Sequence, residues 1–402
     1  MEKKILLYCQ HLLGMGHYVR SMALAAGLSD HKVYFINGGV AIPGIALPEN
    51  VVMVQLPPIA SDGNFKLTGT ETLAEIQQRR KETLLELYKD VQPDIIVVEL
   101  FPFGRKKFAF ELVPLLEANL SNANRAHVVC SLRDILVKKK DPAKFEQRVC
   151  RLVNRYFDSI LVHSDARMHS LEGSFKRWQE LQANICYTGY VVPENGNGGG
   201  KFLPRARSSP LTKITVSAGG GRVGMVLLET ALHAKRYLDR ASPVDLTLVT
   251  GPFLPQAERM RLDLLAADDP HTRIETFVPN LCALLKQSDV SVSMAGYNTC
   301  LDVLQARVPA VFVPFIGGGN DEQLRRARSL AAKGVATLLP SEELNPKSLT
   351  LAIESAAQLQ ASSFEMNLSG VENTRRFIDQ ACQPGVHVTR HLCRVSFSSP
   401  AT

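Results

Sequence analysis

The chain has 402 residues, 45% of them hydrophobic and 21% charged, and a net charge of +7. That length exceeds one ordinary core and sets an expectation of two or three globular domains. No apolar run reaches the ~18 residues of a membrane span, the basic residues are not interleaved with aromatics as nucleic-acid platforms are, and the eight cysteines form no CxxC or Cys/His cluster, which argues for reduced core thiols and against a metal site.

The opening MEKKILLYCQHLLGMGH carries two lysines before an apolar stretch, faintly like a signal peptide. Gly14, Gly16 and His17 interrupt it and no convincing small-residue cleavage site follows, so it reads as a first β-strand of a cytoplasmic protein. Strand-like runs then recur at HKVYFIN (31–37), PDIIVVEL (93–100), AHVVCSL (126–132) and DSILVHS (158–164). TETLAEIQQRRKETLLELYKDV (70–91) has apolar residues at three- and four-residue spacing and is the clearest helix. VVPENGNGGGKFLPRARSSP, rich in proline and glycine, reads as a linker or loop. Beyond it the alternation resumes with TKITVSAG (212–219), VDLTLVTG (244–251), TRIETF (272–277), DVSVSM (289–294), VPAVFVPF (308–315) and VATLLP (335–340). The expectation is an α/β protein of two Rossmann-like domains, 1–190 and 212–382, with a linker at 191–211 and an irregular tail at 383–402. Ligand sites of such domains lie at the carboxyl ends of the strands, and the two sets of ends are expected to face one another across a cleft.

Chemistry-bearing residues cluster at those ends. Gly14 and Gly16 permit tight turns before a helix that begins near His17. GMGH alone is a weak signal, since it lacks the GxGxxG spacing; His17 is either a polar helix start or a general base for an acceptor hydroxyl. Glu99 closes the apolar run IIVVE, where it would orient His17 or pair with Arg105 or Arg133. Arg133 and Asp134, in SLRD, either line the acceptor side or pair with each other. TVSAGGGRVG runs a strand into Gly219, Gly220 and Gly221, a plain turn or a nest of N–H groups for phosphate; without a GK[ST] ending it is no P-loop.

In SMAGYNTCLD, Gly296 allows close approach of a ligand, Asn298 and Thr299 are offered as helix caps, and the helix start presents N–H groups to a diphosphate. Asp302, one turn in, could accept hydrogen bonds from a ribose. VFVPFIGGGNDEQLRRARSLAAKG repeats the design, with Asp321, Glu322 and Gln323 opening a helix where they could bind sugar hydroxyls or serve as ordinary caps. Two such helix starts after two strands are far more specific than one.

The stretch SMAGYNTCLDVLQARVPAVFVPFIGGGNDEQLRRARSLAAKGVA (293–336) resembles the donor-binding signature of MurG-like glycosyltransferases, family 28, whose two Rossmann-like domains form the GT-B fold. GMGH resembles that family's N-terminal glycine loop, SAGGG its second one, and PDIIVVELFPFG and CSLRDIL resemble a bacterial branch of predicted glycosyltransferases. The resemblance implies that Phe277 and Val278 contact the nucleotide base. It places Gly296, Asn298 and Thr299 at the diphosphate, Asp302 at the ribose, Gln323 with Asp321 and Glu322 at the donor sugar, and His17 near the acceptor. Asp302 stands where the family has glutamate, and Met294 where arginine is common.

The resulting expectation is an inverting, metal-independent transferase with no cofactor, using a UDP-sugar or another nucleoside-diphosphate sugar as co-substrate. No DxD pair sits at a strand end to hold a metal-bound diphosphate. The acceptor is a small molecule or a lipid; nucleic acid is not a partner. The alternatives are a non-hydrolysing sugar-nucleotide 2-epimerase, which would need several carboxylates around the sugar, and a binding subunit without turnover. FPFGRKKFAF (101–110) and VKKKDPAKF (137–145) either meet an anionic bilayer at its inner face or form a solvated surface.

Overall fold

The computed structural model describes residues 2–11, 16–41, 47–59, 72–137, 139–192, 213–240, 243–317, 321–359 and 364–381. Gly14, the expected linker beyond residue 192 and the 383–402 tail lie outside them. The chain divides into two compact units, Met1–Gly198 with Asn367–Thr402, and Gly199–Met366.

The first unit runs β1 (Lys4–Cys9), α1 (Gly16–Gly27), β2 (Lys32–Asn37), β3 (Val51–Gln55), α2 (Leu73–Val91), β4 (Ile95–Glu99), α3 (Ala109–Leu120), β5 (His127–Arg133), α4 (Pro142–Tyr156), β6 (Ser159–His163) and β7 (Asn184–Tyr187). All seven strands are parallel in the order β3-β2-β1-β4-β5-β6-β7. β1 lies inside the sheet because KILLYC supplies apolar side chains to both faces. Leu6 and Tyr8 enter the core beneath α2 and α3, while Ile5, Leu7 and Cys9 enter the one beneath α1. α2 starts on a reciprocal Thr72–Glu75 capping box and ends with Gln92 in the left-handed region. The edge strands β3 and β7 were not expected from sequence. VVMVQ and NICY are too short for periodicity to separate them from neighbouring loop.

The second unit runs β8 (Lys213–Ser217), α5 (Met225–Leu238), β9 (Asp245–Val249), α6 (Gln256–Ala266), β10 (Thr272–Glu275), α7 (Leu281–Leu285), β11 (Val290–Ser293), α8 (Tyr297–Ala306), β12 (Ala310–Phe312), α9 (Glu322–Ala332), β13 (Thr337–Leu338) and α10 (Pro346–Ala357). Its six strands are parallel in the order β10-β9-β8-β11-β12-β13. In each sheet the winding reverses once, between β1 and β4 and between β8 and β11. At such a switch point the loops leave the sheet in opposite directions and open a crevice at the carboxyl ends of the strands.

The last described helix, α11 (Gly370–Ala381), belongs to the first unit, whereas the sequence reading carried the second domain to residue 382. The return is fixed by contacts that no local pattern reveals. Tyr190 N–H donates to Asn367 O at 2.8 Å, Gly370 N–H to Tyr190 O at 3.0 Å, and Lys3 Nζ to Ile378 O at 2.7 Å. Ile378 is wholly buried with Ile5 and Leu7. A Cβ at Gly370 would lie 2.5 Å from Tyr190 O, so glycine is required for this approach.

In FPFGRKKFAF three of the four aromatics turn inward. Phe101, Phe103 and Phe108 are core residues, leaving only Lys106 and Lys107 as its exposed cations. In VKKKDPAKF, Lys139 is exposed and lies over the Phe145 ring at 5.6 Å. Among the described residues no helix is long and apolar enough to cross a membrane.

Candidate active site

In the first unit the crevice between β1 and β4 holds a dense charged cluster. β4 ends on Glu99, which is fully buried, and α1 brings His17 to it with Nδ1 2.7 Å from Glu99 Oε1. Arg20, one turn further along α1 and also buried, donates through Nη2 to the same oxygen. Arg105 Nε lies 4.0 Å from the other carboxylate oxygen, Oε2, which accepts no hydrogen bond. Glu99 thus touches His17 and, of the two arginines named as its alternative partners, lies 4.0 Å from Arg105. The arginine it binds most closely, Arg20, was not anticipated, because it is distant in sequence and looks like an ordinary helical cation.

Burial raises the carboxyl pKa of Glu99, but His17, Arg20 and Arg105 hold it well below the usual range, so it is ionised. Burial lowers His17 to about 4 against the pull of Glu99, with the charges of Arg105 and Arg20 adding to the depression. At neutral pH His17 is therefore a neutral imidazole whose Nδ1–H donates to Glu99, leaving the Nε2 lone pair available. The backbone after Glu99 is held in a tight turn: Phe101 N–H donates to Glu99 O at 2.9 Å, with Leu100 at φ 65°.

Two further groups around this pair, Cys9 and His163, are neutral. Burial, with Glu99 adding to it, pushes the Cys9 thiol up to about 12. His163, at the end of β6, bridges Ser131 Oγ and Thr188 Oγ1, each at 2.8 Å, and burial lowers it to about 3. Thr188 donates its own hydroxyl to Gly189 O, so it accepts from His163 Nδ1–H and the tautomer is fixed. Arg133 is half-buried at the end of β5, and Asp134 Oδ1 accepts its own neighbour's N–H, from Ile135, at 2.9 Å. Gly16 is the first residue of α1.

A second buried pair braces the same strand ends. Arg80 of α2 and Glu111 of α3 are both fully buried and bidentate, at 2.6 and 2.7 Å. Arg80 also donates to Gln10 Oε1 after β1, Gly38 O after β2 and Pro57 O after β3, at 2.7 to 2.8 Å. The run QQRRKET reads as a solvated helix face, so this tie was invisible in the sequence.

In the second unit β8 leads into Gly219 (φ 63°), Gly220 and Gly221 (φ 87°). Gly221 is needed for internal packing, since a Cβ there would lie 2.6 Å from Thr250 O. A Cβ at Gly219 would meet nothing within 4 Å, so that turn is open to a ligand. Across the switch point, β11 runs through Met294 and Ala295 to Gly296, the N-cap of α8, with no side-chain cap bond. This corrects the capping roles given to Asn298 and Thr299, which lie inside the first turn. α8 consequently begins without an N-cap side chain, a kind of helix start that an anion can complete.

Asp302 lies one turn in and is partly buried, and its pKa is raised to about 7 with burial as the sole cause. No described residue gives it a hydrogen bond or an ion pair. Phe277, just past β10, is 54% exposed, and Val278 is half-buried beside it. At α9, Gln323 Oε1 accepts Phe315 N–H at 2.9 Å, which leaves its amide N–H groups for a ligand. Asp321 is the N-cap position and makes no side-chain cap bond. Glu322 turns inward instead: it is buried and takes Arg326 Nη2 at 2.8 Å, while Arg326 Nη1 donates to Ala295 O at 2.6 Å. Its place is therefore behind the α8 loop, which it anchors through Arg326.

Residues 215–380 match the glycosyltransferase family 28 C-terminal domain. The chain is 34% identical over 163 residues to a UDP-N-acetylglucosamine--N-acetylmuramyl-(pentapeptide) pyrophosphoryl-undecaprenol N-acetylglucosamine transferase of Ralstonia nicotianae, covering 38% of this chain and 42% of that protein. It is 26% identical over 239 residues to the Psychrobacter cryohalolentis protein of the same name, covering 59% and 63%. The chain thus spans about half the length of the curated relatives it matches. Among solved structures it superposes on the calicheamicin glycosyltransferase CalG4 with a TM-score of 0.57 at 15% identity, covering 94% of this chain and 93% of that one. Acinetobacter baumannii MurG gives a TM-score of 0.55 at 16% identity, covering 95% and 96%. The fold is α/β with two Rossmann-like domains, that of the GT-B glycosyltransferases.

Proposed function

From the MurG-like family 28 C-terminal domain that residues 215–380 form, we propose that this chain is an inverting glycosyltransferase moving a sugar from a UDP-sugar, without a metal, to a small-molecule or lipid acceptor. The observation that carries the reading is the 2.7 Å contact of His17 Nδ1 with the ionised Glu99, at the switch point of the first unit. Binding alone needs no such base. Glu99 fixes Nδ1 as the protonated nitrogen, and Nε2 removes the proton of the acceptor hydroxyl. The acceptor oxygen attacks the anomeric carbon as the bond to the diphosphate oxygen breaks on the opposite face, which inverts that centre. The imidazolium so formed is stabilised by Glu99. The charge leaving on the diphosphate is met by the first N–H groups of α8 and those of the Gly219–Gly221 turn, which supply electrostatic stabilisation without a cation. Asp302 takes the ribose hydroxyls, Phe277 and Val278 lie against the base, and Gln323 with Asp321 meets the sugar. The protein works in the cytoplasm, and a lipid acceptor draws it to the inner membrane face.

Removing the imidazole should separate chemistry from binding. His17→Ala is expected to lower transfer at least ~100-fold, the usual size of a general-base contribution, with UDP affinity within about twofold of wild type. Equal transfer rates in both proteins, followed as UDP release in the presence of acceptor, would reject the base.

A further inference from the structure

Arg105 has no place in the mechanism above. Its side chain is only 12% exposed, yet among the described residues its guanidinium donates no hydrogen bond, and Nε is buried without a partner. The nearest carboxylate oxygen, Glu99 Oε2, is 4.0 Å away, beyond hydrogen-bond reach. A guanidinium offers five N–H donors, and sinking it without acceptors is costly unless a ligand supplies them. The backbone commits to this position, since Arg105 itself adopts φ 55°, a left-handed conformation uncommon outside glycine.

The charges around it leave a surplus. Glu99 of β4 contributes one negative charge, and Arg20 of α1 and Arg105 contribute two positive ones. His17 of α1, Cys9 of β1 and His163 of β6 are neutral at pH 7. His11 after β1, also lowered by burial and by Arg105, adds no charge. The crevice therefore carries a net positive charge, and Arg20 already holds Glu99. We propose that Arg105 receives an oxyanion of the acceptor, a phosphate or a carboxylate, and that this anion strengthens His17 as a base when the acceptor arrives.

The coupling follows from electrostatics. The charge of Arg105 opposes protonation of His17, and an anion seated on Arg105 cancels that opposition. The base then becomes more basic in the loaded enzyme than in the empty one, which favours proton transfer only when acceptor is present. This inference rests on the proposed role of the His17 site, and its test needs neither nucleotide nor turnover.

The histidine ring signals of the full chain are followed by NMR across pH, with His17 assigned by its loss in His17→Gln. Titrations are run in chloride, in inorganic phosphate and in acetate at equal ionic strength. Phosphate or acetate is expected to raise the proton affinity of His17 about tenfold or more, and the more effective anion names the class of acceptor group. Arg105→Met should abolish the effect and Arg105→Lys should keep part of it. Identical His17 titrations of the wild-type chain in all three salts overturn the proposal whatever the variants do, as does an undiminished phosphate or acetate effect in a folded Arg105→Met. Either failure would leave the transferase reading standing on its own test.

Discussion

Asp302 and His17 depart from their usual ionisation chiefly through burial, which Arg105 and Arg20 reinforce at His17, and with opposite consequences for stability. Asp302 holds its proton to about pH 7 in the folded chain, while the unfolded carboxyl loses it near pH 4. Between those values the folded state binds more protons, so its stability contribution falls as pH rises. His17 runs the other way. The unfolded imidazole protonates near pH 6.5 and the folded one at about 4, so stability falls as the pH drops through that window. Replacing Asp302 by Asn removes a buried, unpartnered carboxylate and is expected to stabilise the free protein by about 1–3 kcal/mol at pH 8. The gain should shrink toward pH 4, where both states carry a neutral group. Thermal unfolding of both proteins across pH checks this, and a variant less stable than wild type at pH 8 would mean that the carboxylate has a partner. Such a residue is poorly suited to the empty fold and well suited to a ligand with two hydroxyls. Its place one turn after a glycine that follows a strand was legible in the sequence; its lack of partners was not, because that depends on everything packed around it.

At the scale of elements, the strand ends stay in register because helices reach over to hold them. Arg80 joins α2 to α3 through Glu111 and to the loops after β1, β2 and β3 through three further hydrogen bonds. Breaking a buried pair leaves the remaining charge uncompensated, so Arg80→Met is expected to destabilise the chain by about 3–5 kcal/mol, read as the shift in urea unfolding. A change under 1 kcal/mol would show that the pair is not needed to hold those loops. Arg326 does the corresponding work in the second unit, linking α9 to Ala295 at the entrance to α8. Neither tie could be read from sequence. Strands and helix starts announce themselves within ten residues, whereas Arg80 meets Glu111 31 residues away and Arg20 meets Glu99 79 residues away. The same holds for α11, whose amphipathic pattern does not tell which unit its apolar face covers.

Across the whole molecule, the same winding occurs twice, and both candidate half-sites fall at the place where it reverses. The sequence showed only that candidate residues follow strand ends: Glu99 closes β4, and glycines follow β8 and β11 within three residues. It left FPFGRKKFAF open between a membrane-facing patch and a solvated surface, and the fold uses three of its aromatics as core. Hydrophobicity says that a side chain prefers to be covered and is silent on whether protein or lipid covers it. On the proposed reading, nucleotide binding by the second unit is the first requirement for transfer. The most direct measurement is calorimetric titration of UDP into the wild-type chain and into Asp302→Ala and His17→Ala. The expected result is binding to wild type, an affinity at least ~10-fold weaker in Asp302→Ala from the loss of hydrogen bonds to a charged group, and no change in His17→Ala. Absence of UDP binding by the wild-type chain, or equal affinity in Asp302→Ala, would contradict it.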